Sequence, residues 1–211
     1  MVSLDLEYVR SHFPAFAHPD SRQWAHLENA GGSYVPNQVI SILQDFYTSS
    51  KVQPYWNFGP SAKAGQAMDK AVEVIPATFN ANPDEVHFGP STSQNTYVLA
   101  NALRPDWDLG DNIVVTNQDH EANIGAWRRL EETGIEVREW RVNPETGLLN
   151  IGDLTQLICS KTRLVAVTHA SNLAATINPL SSIADLIHGV GGLLVADGVS
   201  FAPHAAIDVQ E

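Results

Sequence analysis

Short apolar runs separated by amphipathic stretches dominate the chain from residue 86 onward. Val86-His87-Phe88, Ile113-Val114-Val115-Thr116, Ile135 to Trp140, Leu164 to Thr168 and Leu193 to Ala196 read as strands. Ser93 to Leu103, Ala122 to Glu132, Ile151 to Cys159 and Ile183 to His188 read as the helices between them. Strands so continuously apolar are expected to be buried on both faces. Their alternation with helices predicts βαβ units and a three-layer α/β fold around a mainly parallel sheet. In such sheets ligands bind at the carboxyl ends of the strands.

The first third is different. Helices are expected near Leu4 to His12, from Pro36 to Tyr47, with Pro36 suited to a helix start, and from about Ser61 to Phe79. Leu27-Glu28-Asn29-Ala30-Gly31-Gly32-Ser33 is too small and flexible for a helix interior and reads as a loop able to approach a ligand closely. A second loop, Gln53 to Pro60, holds Tyr55 and Trp56. This pattern divides the chain into an N-terminal helical segment over residues 1–50 and an α/β part over 51–211, which the resemblance given below implies to be a partial large domain.

Composition narrows the function. The chain has 211 residues, 44% of them hydrophobic, enough for a real core. Acidic residues outnumber basic ones 24 to 12, a net charge of -12, which makes nucleic acid and anionic membrane poor partners. No apolar run is long enough to span a bilayer and the first residues carry no targeting pattern, so a cytoplasmic location is expected. A single cysteine, Cys159, excludes an internal disulfide framework; its apolar neighbours suggest a small buried hydrophobe rather than a reactive thiol.

Polar clusters follow the apolar runs. Gly89-Pro90-Ser91-Thr92-Ser93 leads into a helix, where hydroxyls and unpaired N–H groups suit a phosphate, although Ser and Thr also cap ordinary helices. Asn117-Gln118-Asp119-His120 follows the second strand, His169-Ala170-Ser171-Asn172 the fourth, and Asp197-Gly198-Val199-Ser200 the last. Asp197 suits a turn, but a carboxylate at the end of a buried strand also calls for a cation or a donor against it. A phosphate cradle, an imidazole, an amide and a carboxylate are the groups that grip a phosphorylated, aromatic, nitrogen-bearing cofactor.

These stretches, with Leu27 to Gly32, Asp119-His120-Glu121-Ala122-Asn123, Thr168 to Thr176 and Asp197 to Gln210, resemble the class V aminotransferases of the type I pyridoxal-phosphate fold, within them the cysteine desulfurase-like branch. The resemblance implies the large domain of that fold, with a sheet of the seven-stranded type incomplete at its C-terminal side. It implies pyridoxal 5'-phosphate as cofactor, held by Ser91, Thr92 and Ser93 at the phosphate. His120 would lie on the ring, Asn172 and Ser200 near the ring hydroxyl, and Asp197 at the ring nitrogen. Asn29 and Asn172 would face the substrate, and His120 and Asp197 would be the catalytic pair. It also implies a small amino-acid substrate, a homodimer with Tyr55 and Trp56 near the partner subunit, and a sulfur acceptor protein.

The resemblance has departures. The family's Schiff-base lysine would fall a little beyond Glu211, and Lys51, Lys63, Lys70 and Lys161 are not at its position. The chain thus reads as the first half of an enzyme, inactive by itself. Ser200 stands where many relatives carry Gln or His, and Ala175 where Gly often follows the Ser171-Asn172 motif. A non-catalytic chain that keeps the fold as a binding or assembly partner, and an aminotransferase or lyase acting on another small amino acid, are the alternative readings. Gly189-Val190-Gly191-Gly192 precedes a strand, the wrong context for a dinucleotide turn, and is expected to end a helix. His120, Glu121, His169, Asp197 and His204 lack metal-ligand spacing, and no Gly-x-Ser-x-Gly elbow is present.

Overall fold

The computed structural model of the chain describes residues 4–210; residues 1–3 and 211 lie outside it. Two compact units divide between Val86 and His87.

The first unit is helical. Helix α1 (Leu6–Ser11) starts at Asp5, whose carboxylate accepts the Tyr8 N–H at 2.9 Å. Helix α2 (Asn37–Asp45) follows Pro36 and loosens into a wider turn over Phe46–Ser50, so it stops short of the expected Tyr47. Helix α3 (Gly59–Ala77) matches its predicted span to within two residues. The boundary expected at 50/51 falls inside this unit. Lys63 of α3 pairs with Asp45 at 2.8 Å, and Tyr55 lies so close to Gly65 that a side chain there would collide with its ring. These contacts tie α3 to the segment before it.

The second unit is the α/β part. Its elements run α4 (Thr92–Leu103), β1 (Asn112–Thr116), α5 (Glu121–Arg128), β2 (Glu136–Trp140), α6 (Ile151–Leu157), β3 (Thr162–Thr168), α7 (Leu180–Gly189) and β4 (Leu193–Asp197). The strands form one sheet in the order β2-β1-β3-β4, every pair parallel among the described residues. Side chains alternate across it. Ile113, Val115, Leu164 and Ala166 pack with Ala100, Ile124 and Trp127 of α4 and α5. Val114, Val165 and Val167 face the other way, onto Leu154, Ile183 and Ile187 of α6 and α7. All the strand residues named are fully buried, which explains their unbroken apolar runs. Each large side chain so buried stabilises by roughly 1.5–3 kcal/mol before chain entropy is counted.

Three further expectations are corrected. Val86-His87-Phe88 joins no ladder among the described residues, and Phe88 is 58% exposed; a strand exists only with a hydrogen-bonded neighbour, which apolar content cannot supply. The helix expected to reach Glu132 tightens into a 3-10 turn over Arg129–Thr133 and ends at Gly134, whose φ of +87° suits only glycine. Cys159 is not embedded in apolar surroundings: Asn112 donates to its sulfur at 3.4 Å and Thr162 and Arg138 at 3.8 Å. The Gly189 to Gly192 run does end α7. Gly191 is left-handed at φ +80°, and a Cβ on Gly192 would sit 2.8 Å from the Thr162 carbonyl.

Candidate active site

Parallel register brings Thr116, Thr168 and Asp197 to one edge of the sheet, where each chain turns into a polar loop. At the end of β1, the Thr116 hydroxyl accepts the N–H groups of Gln118 and Asp119, each at 3.1 Å. Its own proton goes to Oδ2 of Asp119 in a very short hydrogen bond, while Oδ1 of Asp119 accepts from Asn123 at 2.6 Å. The turn is therefore anchored at both ends. His120 follows it as the N-cap of α5, its Nδ1 accepting the Ala122 N–H at 3.0 Å and its ring exposed.

The adjoining ends are tied together. The Thr168 N–H supports the Asp119 carboxylate. The His169 N–H donates to the Asp197 carbonyl at 2.8 Å, and the Asp197 side chain accepts the Val199 N–H at 2.9 Å. Beneath them lies a buried amide network. Gln118 donates to the Gly147 carbonyl at 2.8 Å and to Thr176 at 2.9 Å, while its own oxygen accepts from Asn178 at 2.7 Å. Asn178 also donates to the Thr168 carbonyl at 2.8 Å. Satisfied buried polar groups of this kind fix loop positions, because any shift strands a donor away from water.

The electrostatics are one-sided. Burial pushes the Asp119 carboxyl above the usual carboxylate range, and the nearby charge of Asp197 adds to that rise against the hydrogen bonds from Thr116 and Asn123. Among the described residues neither carboxylate has a Lys, Arg or His in ion-pair contact. His169 stacks on Phe201 with ring centres 3.6 Å apart, and burial pushes its imidazole below the ordinary histidine value. A cavity of about 670 Å³ lies against His169, Asn178, Leu180, Gly198 and Ile207, away from His120. It is lined by the loops after β3 and β4 and the start of α7, and the Asp119 turn is not part of its lining.

The predicted residues fall in three places. His120 and Asp197 lie on loops joined by the contacts above. Ser200 is half-buried in the turn after β4, and Asn172 is half-buried in the tight turn formed around Ser171, whose hydroxyl accepts from Ala174 at 3.1 Å. Ser91, Thr92 and Ser93 form the first turn of α4, where Ser91 caps the Gln94 N–H at 3.2 Å. Gly89 precedes it with no room for a Cβ, because the Asn95 side chain folds back over it. Among the described residues no hydrogen bond joins this turn to the strand-end group. Asn29 belongs to the first unit, on an exposed turn where it accepts from Ser33 at 3.4 Å. Sequence reasoning gave no role to Asp119, Gln118, Asn178 or His169. Their signal was only position, polar residues just after apolar strands, and position alone does not say which of them interlock.

No group of three or more His, Cys, Asp or Glu able to hold a metal occurs among the described residues, and no helix there is long and apolar enough to cross a membrane. The family model for aminotransferase class-V matches residues 25–211. The chain belongs to the class V aminotransferase family. An aminotransferase-like protein of Gibberella zeae is 37% identical over 99% of this class V chain and 52% of the relative. A cysteine desulfurase of Serratia proteamaculans is 33% identical, again over 99% of the chain and 52% of its own length. The crystal structure of an Escherichia coli cysteine desulfurase superposes with a TM-score of 0.80 at 24% identity, covering 99% of this chain and 52% of that one. The apo cysteine desulfurase of Thermococcus onnurineus NA1 gives 0.86 at 22% identity, over 100% and 52%. At those identities the superpositions establish the fold, that of the type I pyridoxal-phosphate enzymes. The class V chain spans about half the length of the curated relatives it matches.

Proposed function

We propose that this chain carries the cofactor-facing part of a pyridoxal-phosphate-dependent enzyme acting on a small amino acid, most like a cysteine desulfurase. One observation carries the reading: Asp197 lies near enough to Asp119 at the sheet's carboxyl edge for its charge to raise the Asp119 carboxyl, and among the described residues neither has a Lys, Arg or His in ion-pair contact. Two half-buried carboxylates so placed favour a bound cation, and a protonated pyridine nitrogen is one. The remaining donors suit the same molecule. Ser91, Thr92 and Ser93 would take its phosphate at the first turn of α4, and His120 would cover its ring face. Asn172 and Ser200 would reach its hydroxyl, with Asn29 and Asn172 toward the substrate.

Bound there, pyridoxal phosphate supplies an electron sink for negative charge developing at the substrate α-carbon. The chain's own part is electrostatic and positional. Asp197 would favour a protonated ring nitrogen by opposite charge, and Asp119 would deepen the negative potential around it. His120 would lie against the ring face, while the Gln118–Asn178 network keeps the loops from drifting. The names of several relatives favour cysteine as substrate, and a sulfur acceptor protein would be the partner that such a reaction calls for. A homodimer in which Trp56, 70% exposed, meets the partner subunit fits this reading, as does a cytoplasmic location.

A second reading is a chain that keeps the fold as a binding or assembly partner without carrying out the reaction. The two readings separate in an absorbance titration with pyridoxal phosphate, followed by borohydride reduction and dialysis. Reversible binding, weakened about tenfold or more by Asp197→Ala or His120→Ala, is expected from loss of one charged or stacking contact. Absence of binding would leave only the shared fold.

A further inference from the structure

The Asp119 turn and the histidine it delivers set a constraint that the cofactor reading does not contain. Neutral imidazole carries one proton, on either Nδ1 or Nε2, and the other nitrogen can only accept. In this chain the Ala122 backbone N–H, which can only donate, points at Nδ1 of His120 at 3.0 Å. A proton on Nδ1 would set donor against donor and break the cap of α5. The proton of the neutral ring therefore belongs on Nε2, the nitrogen directed away from the helix.

The turn that carries His120 is built on Asp119. Its two oxygens are committed to different elements, Oδ2 to the Thr116 hydroxyl at the end of β1 and Oδ1 to Asn123 in the first turn of α5. The Thr116 hydroxyl is saturated in turn, accepting from Gln118 and Asp119 and donating once. Asn123 is 2% exposed and Thr116 fully buried, so neither partner can exchange Asp119 for water. A strand end and a helix start are thus joined by one carboxylate, with His120 between them.

We propose that Asp119 is a positioning residue that holds His120 in the Nε2-protonated tautomer, so that His120 meets its ligand as a hydrogen-bond donor through Nε2 and acts as a base only after releasing the Ala122 cap. This rests on the reading of His120 as a ligand-facing residue, but its test needs no cofactor. In the full chain, uniformly ¹⁵N-labelled, long-range ¹H–¹⁵N spectra recorded above the imidazole titration range report each ring's tautomer. His120 is assigned by its disappearance in His120→Gln. The expected result is one protonated Nε2 and one unprotonated Nδ1 for His120. Asp119→Ala should replace that single pattern by the averaged one of a free ring, and Thr116→Val should do the same; Thr116→Ser, which keeps the hydroxyl, should leave it unchanged.

A proton on Nδ1, or an averaged pattern in the unaltered chain, overturns the proposal even if no variant folds. Persistence of the Nε2–H pattern in a folded Asp119→Ala chain also overturns it, reducing Asp119 to a stability contact. Failure of pyridoxal phosphate to bind would sink the cofactor reading and leave the tautomer result standing.

Discussion

Cys159 shows how far a single side chain's chemistry depends on its neighbours. The Lys161 N–H, then the donors of Asn112 and Thr162, and Arg138 beyond them, favour a thiolate and lower its pKa to about 7. Alkylation by iodoacetamide should reach half its limiting rate near pH 7 instead of the roughly 8.5 of a free thiol, and Arg138→Leu should move that midpoint upward. A midpoint unchanged from the free thiol would show that the donors do not act on the sulfur. Ala175 presents the opposite case, a residue at odds with its backbone. It holds φ +53°, where side-chain crowding costs an L-residue about 1–2 kcal/mol. Ala175→Gly is expected to stabilise by about 0.5 kcal/mol in urea unfolding, since glycine's greater loss of freedom offsets part of the relief.

Elements meet here through a few close contacts. Asp111, only 3% exposed, precedes β1 and is bound at 2.7 Å by Arg163 of β3, which holds its carboxyl below the usual range. The folded state therefore binds that proton less tightly than the unfolded chain does. The stabilisation is present above about pH 4 and is lost as pH falls through the lower folded value. Arg163→Ala should destabilise the fold at neutral pH, less than loss of a fully buried partner would because Arg163 reaches solvent, and the gap should close in acid. Chemical denaturation at pH 7 and pH 3 checks both parts. The crossing of α7 over β3 is similarly tight. Gly192→Ala would press a methyl against the Thr162 carbonyl and the Ile187 side chain, an expected loss of about 1–3 kcal/mol. An unchanged melting temperature would mean that α7 can shift without penalty.

At the scale of the sheet, its two outer strands are built differently. β2 carries Glu136, Arg138 and Glu139, with Arg138 paired to Glu136 at 2.9 Å, and charges of this kind discourage edge-to-edge pairing. β4 offers Leu193, Leu194, Val195 and Ala196, with Leu193 46% exposed. The chain by itself should therefore self-associate through β4, and Leu193→Lys should raise the monomer fraction in size-exclusion chromatography with light scattering. A compact monomer for the unaltered chain would contradict this.

The sequence by itself determined the α/β class, the doubly buried strands β1 and β3 and the helices that cover them. These follow from side-chain periodicity, a local property that burial enforces on every strand of such a sheet. It also set the chemistry of the strand ends, because residues just past an apolar strand must emerge at its edge, and so His120 and Asp197 stood out as candidates while Asp119 did not. Only the tertiary structure decided the rest. Whether Val86-His87-Phe88 is a strand depends on a hydrogen-bonding neighbour distant in sequence. The surroundings of Cys159 depend on Asn112 and Arg138, brought to it by strand pairing. The lock on His120 depends on which atoms of Thr116, Asp119, Ala122 and Asn123 face one another. Hydrogen bonds are directional and short-ranged, so their partners are fixed by three-dimensional placement, whereas hydrophobic burial is non-directional and leaves its imprint along the chain.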